Sequence, residues 1–310
     1  MQEDEYKPLL DRDRVTVEVK QYLPQHIEAL RDVINYGTGL FPRCLLHSDR
    51  NLKNLVIITV LFRQLLAMFD GAEVLLSSGA VYASSLQLRA TFEAAVYLQW
   101  ILKEGGDQKA TCYYVHNLRR QRIWAARVIP GSVEADEFGH LPGSRTASEI
   151  EDLVNAAKAQ IKAIDEHLAK PNFAGMNQQF DRLHKQYKHE VSWYRPLGYS
   201  SFKKIAIEVG KRREYIVFYG GGSEAMHASN YKHHIRIGDG EVEFEPIRNL
   251  QEFGTIFSFS LSIVFDVYRQ MLNEYRPGEL ALLNRKYAEK WRAPFLSIPK
   301  IKYEYEHVRI

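Results

Sequence analysis

Four polar residues in this sequence have the types and the spacing that chemistry asks for. Arg89 and Glu93 stand four apart in LQLRATFEAAVYLQW, and Ser223 and His227 stand four apart in GGGSEAMHAS. Residues four apart share one face of a helix. Arg89 and Glu93 lie among Leu86, Leu88, Phe92, Ala94, Ala95, Val96 and Leu98, and charges in such apolar company are costly unless they are paired and hydrogen-bonded. The pattern predicts that Arg89 and Glu93 face each other and a further polar partner, for which Ser223 and His227 are the natural candidates. On the functional reading, His227 is a general acid or base in a protected cleft, held by Ser223 or Glu93, and Arg89 binds an anion. The same four residues also read as a buried hydrogen-bond network that locks two helices in register, with no substrate at all. Paired burial predicts that Glu93→Gln lowers stability.

Helices must bring the two faces together, and the pattern supplies them. Residues 1–22 read as a charged N-terminal arm. Residues 23–130 read as the first half of a helical bundle: a helix over 25–36 stopped by Gly37, then two long apolar helices separated at Ser77-Ser78-Gly79 and folded into an antiparallel hairpin. A third helix, 108–128, carries Arg119, Arg120, Arg122 and Arg127 with Trp124 among them. Residues 131–195 read as a more polar helical insertion, beginning with a loop over 131–147. Ser148 and Glu151 there have the spacing of a capping box opening a helix through His167, and a second helix spans 176–189. Residues 196–291 form the second half of the bundle, with a flexible or tightly packed joint at Gly220-Gly221-Gly222. The alternation of HIRIGDGEVEFEP predicts a small β-hairpin over 234–246, after which helices follow over 250–275 and 279–291. Residues 292–310 read as an extended tail. The fold class predicted is all-α, a helical bundle with that one hairpin.

Bulk properties set limits on function. A net charge of +3, from 41 Lys and Arg against 38 Asp and Glu, is too small for a whole-molecule electrostatic argument for nucleic acid. Cys44 and Cys112 lack CxxC spacing and sit in apolar helical contexts, so a disulfide framework or cysteine metal site is not expected and a reducing compartment fits. The charged N-terminus has no apolar core of a secretory signal, and the longest uncharged apolar runs, 55–62 and 253–265, fall short of the ~20 residues that span a bilayer. The expectation is a cytoplasmic protein with no membrane partner. Long apolar helix faces suggest packing between subunits, hence a homodimer.

The segments LQLRATFEAAVYLQWIL and REYIVFYGGGSEAMHAS resemble a widespread, mostly bacterial domain-of-unknown-function family, number five-six-seven-seven. Its members share an Arg-x-x-x-Glu helix after a long apolar helix, then a Tyr and a Ser-x-x-x-His helix. In this chain those positions are Arg89, Glu93, Tyr215 or Tyr219, Ser223 and His227, and the resemblance covers roughly residues 50–230. That family looks like a relative of the HEPN helical superfamily, which includes toxin and defence ribonucleases that dimerise to assemble a site from Arg and His residues. The resemblance thus implies a HEPN-like bundle and an effector in stress response or phage defence, a ribonuclease or nucleic-acid-processing protein working without metal or cofactor. In it His227 would be the acid or base, Arg89 would stabilise phosphate charge, and Glu93 and Ser223 would orient them, with RNA or a nucleotide as partner. The superfamily's usual signature, Arg followed by His after four to six residues, is met here by Arg182 and His189, so the carried-over site departs from it by using two helices. The alternative is a non-catalytic helical module that binds a nucleotide, peptide or partner protein, and a purely structural scaffold is a third reading.

The remaining features have plainer readings. Adjacent histidines such as His233 and His234 point to opposite sides of a strand, which argues against metal. The arginines at 119, 120, 122 and 127 suit either a nucleic-acid-facing stripe or, more simply, a solvated helix face. GGGSE suggests a phosphate cradle at a helix N-terminus, although without a preceding strand or a Lys-Ser/Thr pair it is not a P-loop.

Overall fold

A computed structural model of the chain describes residues 10–46, 55–139, 146–227, 234–238, 241–244 and 246–302. In chain order its helices are α1 (Arg12–Tyr22), α2 (Pro24–Leu46), α3 (Leu55–Ser77), α4 (Val81–Ile101), α5 (Gly106–Ala126), α6 (Val133–Phe138), α7 (Ala147–Leu168), α8 (Pro171–Tyr187), α9 (Phe202–Glu208) and α10 (Arg212–Glu214). A π-helical turn over Tyr215–Tyr219 leads into α11 (Gly220–Met226), followed by two short strands, β1 (Ile235–Gly238) and β2 (Glu241–Phe244). Helix α12 (Phe253–Tyr275), α13 (Leu280–Lys286), a second π-helical turn over Tyr287–Trp291 and α14 (Arg292–Leu296) complete the described chain. The fold is helical, and no helix among the described residues is long and apolar enough to cross a membrane. The strands pair antiparallel, Ile235 opposite Phe244 and Gly238 opposite Glu241.

Two compact units divide the chain, one formed by Met1–Lys103 with Ile205–Ile310 and the other by Glu104–Lys204. In the first, α3 and α4 form a hairpin turned at Gly79, whose φ of +70° is one that glycine adopts without strain. Helix α12 packs on α4 and α2, burying Phe62, Phe92, Phe257 and Tyr268. The expected charged arm is a helix from Arg12: Val15 and Val19, four apart, are buried, and this i,i+4 apolar pair is enough to dock an otherwise polar segment. Nor does Gly37 end the second helix, which runs on to Leu46. A Cβ at Gly37 would lie 2.0 Å from Tyr268 Oη, and that hydroxyl donates to the Val33 carbonyl at 3.0 Å. The glycine is there to make room for a buried tyrosine, not to stop the helix.

In the second unit α5 packs against α7 and α8, with Cys112, Val115, Ile164, Leu168 and Phe180 buried. This unit begins with α5, earlier than the insertion expected from residue 131, because the basic helix supplies its apolar residues to α7 and α8. The segment expected as a loop over 131–147 contains α6, capped by Ser132, whose side chain accepts from the Ala135 N–H. The capping box that opens α7 is Thr146 with Glu149, each satisfying the other's backbone, two residues before the expected Ser148 and Glu151. Helix α8 starts at Pro171, at its first helical position, where a missing N–H costs nothing.

Candidate functional site

The site is built on α4. The chain from Glu208 to Met226 runs antiparallel along this helix. At one end Trp100 Nε1 donates to Glu208 Oε1 at 2.8 Å and Lys103 Nζ donates to the Glu208 carbonyl at 2.6 Å. Further along, the Arg89 guanidinium lies over the Tyr219 ring, and last comes Gly222, where a Cβ would fall 2.9 Å from Arg89 Cβ and 3.3 Å from the Ser85 carbonyl. A side chain at 222 would push α11 off α4. Of the two alternatives for the three glycines, the tightly packed one fits Gly222 and the flexible one does not: the π-helical turn continues straight into α11, and the Gly220 N–H already bonds to the carbonyls of Tyr215 and Val217. That removes the expected phosphate cradle at this point, since the cradle needs free N–H groups.

Arg89 does not pair with Glu93. Among the described residues no ion pair joins them. Instead the Arg89 guanidinium carbon sits 4.2 Å from the centroid of Tyr219, and Tyr219 stacks on Tyr215 with centroids 5.0 Å apart. Arg89 Nη1 also approaches Met226 Sδ at 3.5 Å. The half-buried Glu93 lies one turn on. Burial pushes its carboxyl pKa upward, opposed by a hydrogen bond from Tyr97 and by the charge of Arg89. The expected pair fails for a geometric reason: the π-helical turn offers Arg89 an aromatic face on the neighbouring segment, and guanidinium groups stack well on such faces. His227 occupies the turn after α11 and is exposed, so it is not held in a protected cleft. Ser223 belongs to α11 by its backbone, and its side chain lies outside the described residues.

Beside this junction is a cavity of about 190 Å³. Tyr82, Ser85 and Leu88 of α4, Phe218 and Gly222, His234 before β1, and Asn249, Glu252 and Thr255 at the entry to α12 contribute to its lining. Tyr82 and His234 meet edge to face at 5.3 Å. Of these, Tyr82 and Ser85 were within reach of sequence reasoning, being seven and four residues before Arg89 on the same helix. Glu252, Thr255 and His234 were not, since nothing in local spacing ties them to α4.

Other candidates fare differently. The basic stretch of α5 is no open stripe. Arg119 donates to Asn177 at 2.8 Å, Asp181 at 2.6 Å and Glu190 at 3.0 Å, Arg122 donates to Asp165 at 2.8 Å, and Arg127 lies 3.8 Å from the Trp124 ring centroid. Arg182 and His189 are both exposed, and α8 ends at Tyr187, before the histidine. His233 lies outside the described residues, and among those described no group of three His, Cys, Asp or Glu is arranged to hold a metal ion.

Residues 55–242, more than half of the chain, match a family described as a family of unknown function, DUF5677. The matched region includes α4, the π-helical turn and α11. No curated protein and no solved structure matches the chain.

Proposed function

The chain belongs to the family of unknown function DUF5677, and from that premise and the α4–α11 junction we propose that it is a HEPN-like effector that engages RNA at this junction. The observation that carries the reading is Arg89: a guanidinium stacked on Tyr219 with no carboxylate partner among the described residues. Such a group keeps its N–H donors for an anion, and a phosphodiester is the anion that a planar guanidinium beside stacked aromatic rings receives best. In the proposed reaction Arg89 stabilises charge on the phosphate. His227, accessible at the end of α11, takes the proton from a ribose 2′-hydroxyl as its oxygen attacks the adjacent phosphorus. The bond to the 5′ oxygen breaks, that oxygen leaves with the proton that His227 returns through solvent, and the strand end carries a 2′,3′-cyclic phosphate. Glu93, one turn from Arg89, whose charge acts on its carboxyl, and Ser223 take the orienting roles. The proposal includes self-association as a homodimer and a role in stress response or phage defence. What supports self-association is α3, which leaves Val56, Val60 and Val74 exposed along one helical face.

The test is incubation of the full chain with mixed RNA, with and without chelator, followed by analysis of the ends. The proposal expects chelator-insensitive cleavage leaving cyclic phosphate, lost in His227→Ala. Intact RNA with the wild type, or equal cleavage by the variant, sinks the catalytic assignment. A non-catalytic binding module is the second reading, and one observation favours it: a cavity beside the junction is lined by Tyr82, Glu252 and Thr255 while His227 lies exposed on a turn. On that reading RNA is bound and left whole.

A further inference from the structure

The cavity beside Gly222 has a chemistry that the proposed cleavage does not use. Its volume, about 190 Å³, is the liquid volume of about six water molecules. Two aromatic groups, Tyr82 and Phe218, help to wall it, and Leu88 and Ile256 add apolar surface. Such walls suit a flat ring. The polar groups are sharply unequal. Asn249 is already engaged, its Nδ2 donating to the Pro246 carbonyl at 3.2 Å and its Oδ1 accepting from the Gln251 N–H at 3.3 Å. Glu252 occupies the N-cap position of α12, yet its side chain makes no capping bond and has no other partner among the described residues. Among the described lining residues Glu252 brings the carboxylate, a strong acceptor-only group, beside Tyr82, Ser85, Thr255 and His234, which can also donate.

A carboxylate selects among the bases. Both of its oxygens accept and neither donates. Guanine presents two adjacent donors, N1–H and the N2 amino group, at a spacing that meets both oxygens at once. Adenine sets an unprotonated N1 beside its amino group, cytosine an unprotonated N3 beside its own, and uracil flanks its N3–H with two carbonyl oxygens. Each of those three would place an acceptor against the carboxylate. We infer that this cavity binds a guanine base, its Watson–Crick edge on Glu252 and its ring between Tyr82 and Phe218. Gly222 lines the cavity and its Cβ position meets Arg89 Cβ at 2.9 Å and Cδ at 3.2 Å, which puts the Arg89 side chain beside the cavity, where it would take the phosphate of the same nucleotide. This assignment rests on the reading of Arg89 as the phosphate-receiving group.

The experiment is calorimetric titration of the full chain with guanosine, adenosine, guanosine 5′-monophosphate, and single-stranded RNAs carrying UGU or UAU. Guanosine is expected to bind at least roughly tenfold more tightly than adenosine, the size of one charge-assisted hydrogen-bond pair. Glu252→Gln, an exposed position whose change leaves the fold intact, abolishes that preference. Equal affinity for the two nucleosides, no binding of either, or a preference that survives in Glu252→Gln overturns the inference. Adding the phosphate tightens binding in the wild type and not in Arg89→Ala. If guanosine is preferred but its phosphate adds nothing, the base site stands and the Arg89 reading fails. If RNA binds through Arg89 without base preference, the base site fails alone. A preference for guanine shown by mononucleotides and absent from the RNAs identifies a free nucleotide as the ligand, and a preference shown by both identifies a base within a strand.

Discussion

Arg89 and Glu93 illustrate how a correct suspicion can rest on the wrong partner. Their shared face and apolar company were legible in the sequence, as was the meeting of their helix with the one that carries Ser223, although His227 lies in the turn beyond that helix. The pairing was not, because it depends on Tyr219, placed by a π-helical turn that no periodicity announces. This reverses an expectation. No ion pair joins Arg89 to Glu93 among the described residues, and burial raises the Glu93 carboxyl pKa, so the charged form is disfavoured in the folded state. A raised carboxyl pKa adds stability below the unfolded value and subtracts it above the folded one. Glu93→Gln keeps an acceptor for Tyr97 and removes the charge. Its melting temperature at neutral pH should equal or exceed that of the wild type, with the difference vanishing in acid, and a fall at neutral pH would restore the paired-core view. Gly222 answers to sterics. Its Cβ space is taken by Arg89 Cβ at 2.9 Å, so Gly222→Ala should lower stability by about 1–3 kcal/mol in urea titration, and an unchanged midpoint would mean that the junction is loose.

At the scale of elements, glycines were the punctuation most easily misread. Gly37 and the run Gly220–Gly222 all lie within continuous helical structure, and the signal that ends a helix in sequence serves here to admit a neighbour. The two uses can be told apart by substitution. Gly37→Ala drives a methyl into Tyr268, and overpacking of about 1–3 kcal/mol should outweigh the gain in helix propensity of about 1 kcal/mol. Gly175, within α8 with open space at its Cβ position, should behave oppositely, Gly175→Ala stabilising by about 0.5–1 kcal/mol. Equal signs for the two in the same urea series would contradict the packing account. The α3–α4 hairpin, by contrast, was readable because Ser77-Ser78-Gly79 does end one helix and Gly79 needs its positive φ. Capping was read in kind and missed in place, since Thr146 with Glu149 and Ser148 with Glu151 have identical spacing.

For the molecule as a whole, the buried His26 and the half-buried His116 contribute to the response to pH. Burial, helped by the nearby Arg120, depresses the His116 pKa to about 4, and burial lowers that of His26. Each folded-state pKa lies below the ordinary histidine value of 6.5. The unfolded chain therefore binds more protons across the window between them, and stability is present above about 6.5 and lost as pH falls toward 4. For His116 the loss is about 2–3 kcal/mol. Unfolding midpoints measured from pH 7.5 to pH 4 should fall for the wild type and fall less steeply for His116→Gln; parallel curves would show that this histidine is not protected from protonation. None of this was visible in sequence, where His116 is one of several histidines without a motif. The sequence pattern starts a polar middle section at residue 131, whereas the second compact unit begins at Glu104, because α5 looks basic on its surface while giving Cys112 and Val115 to that unit.

Arg89, stacked on Tyr219 with no carboxylate ion pair among the described residues, is the group proposed to receive phosphate. The most direct test is equilibrium binding of fluorescent single-stranded RNA to wild type and Arg89→Gln at one fixed salt concentration, with melting temperatures recorded in parallel. Binding weakened by about tenfold or more is expected in a variant that melts as the wild type does. Equal affinity in an equally stable variant would contradict that assignment.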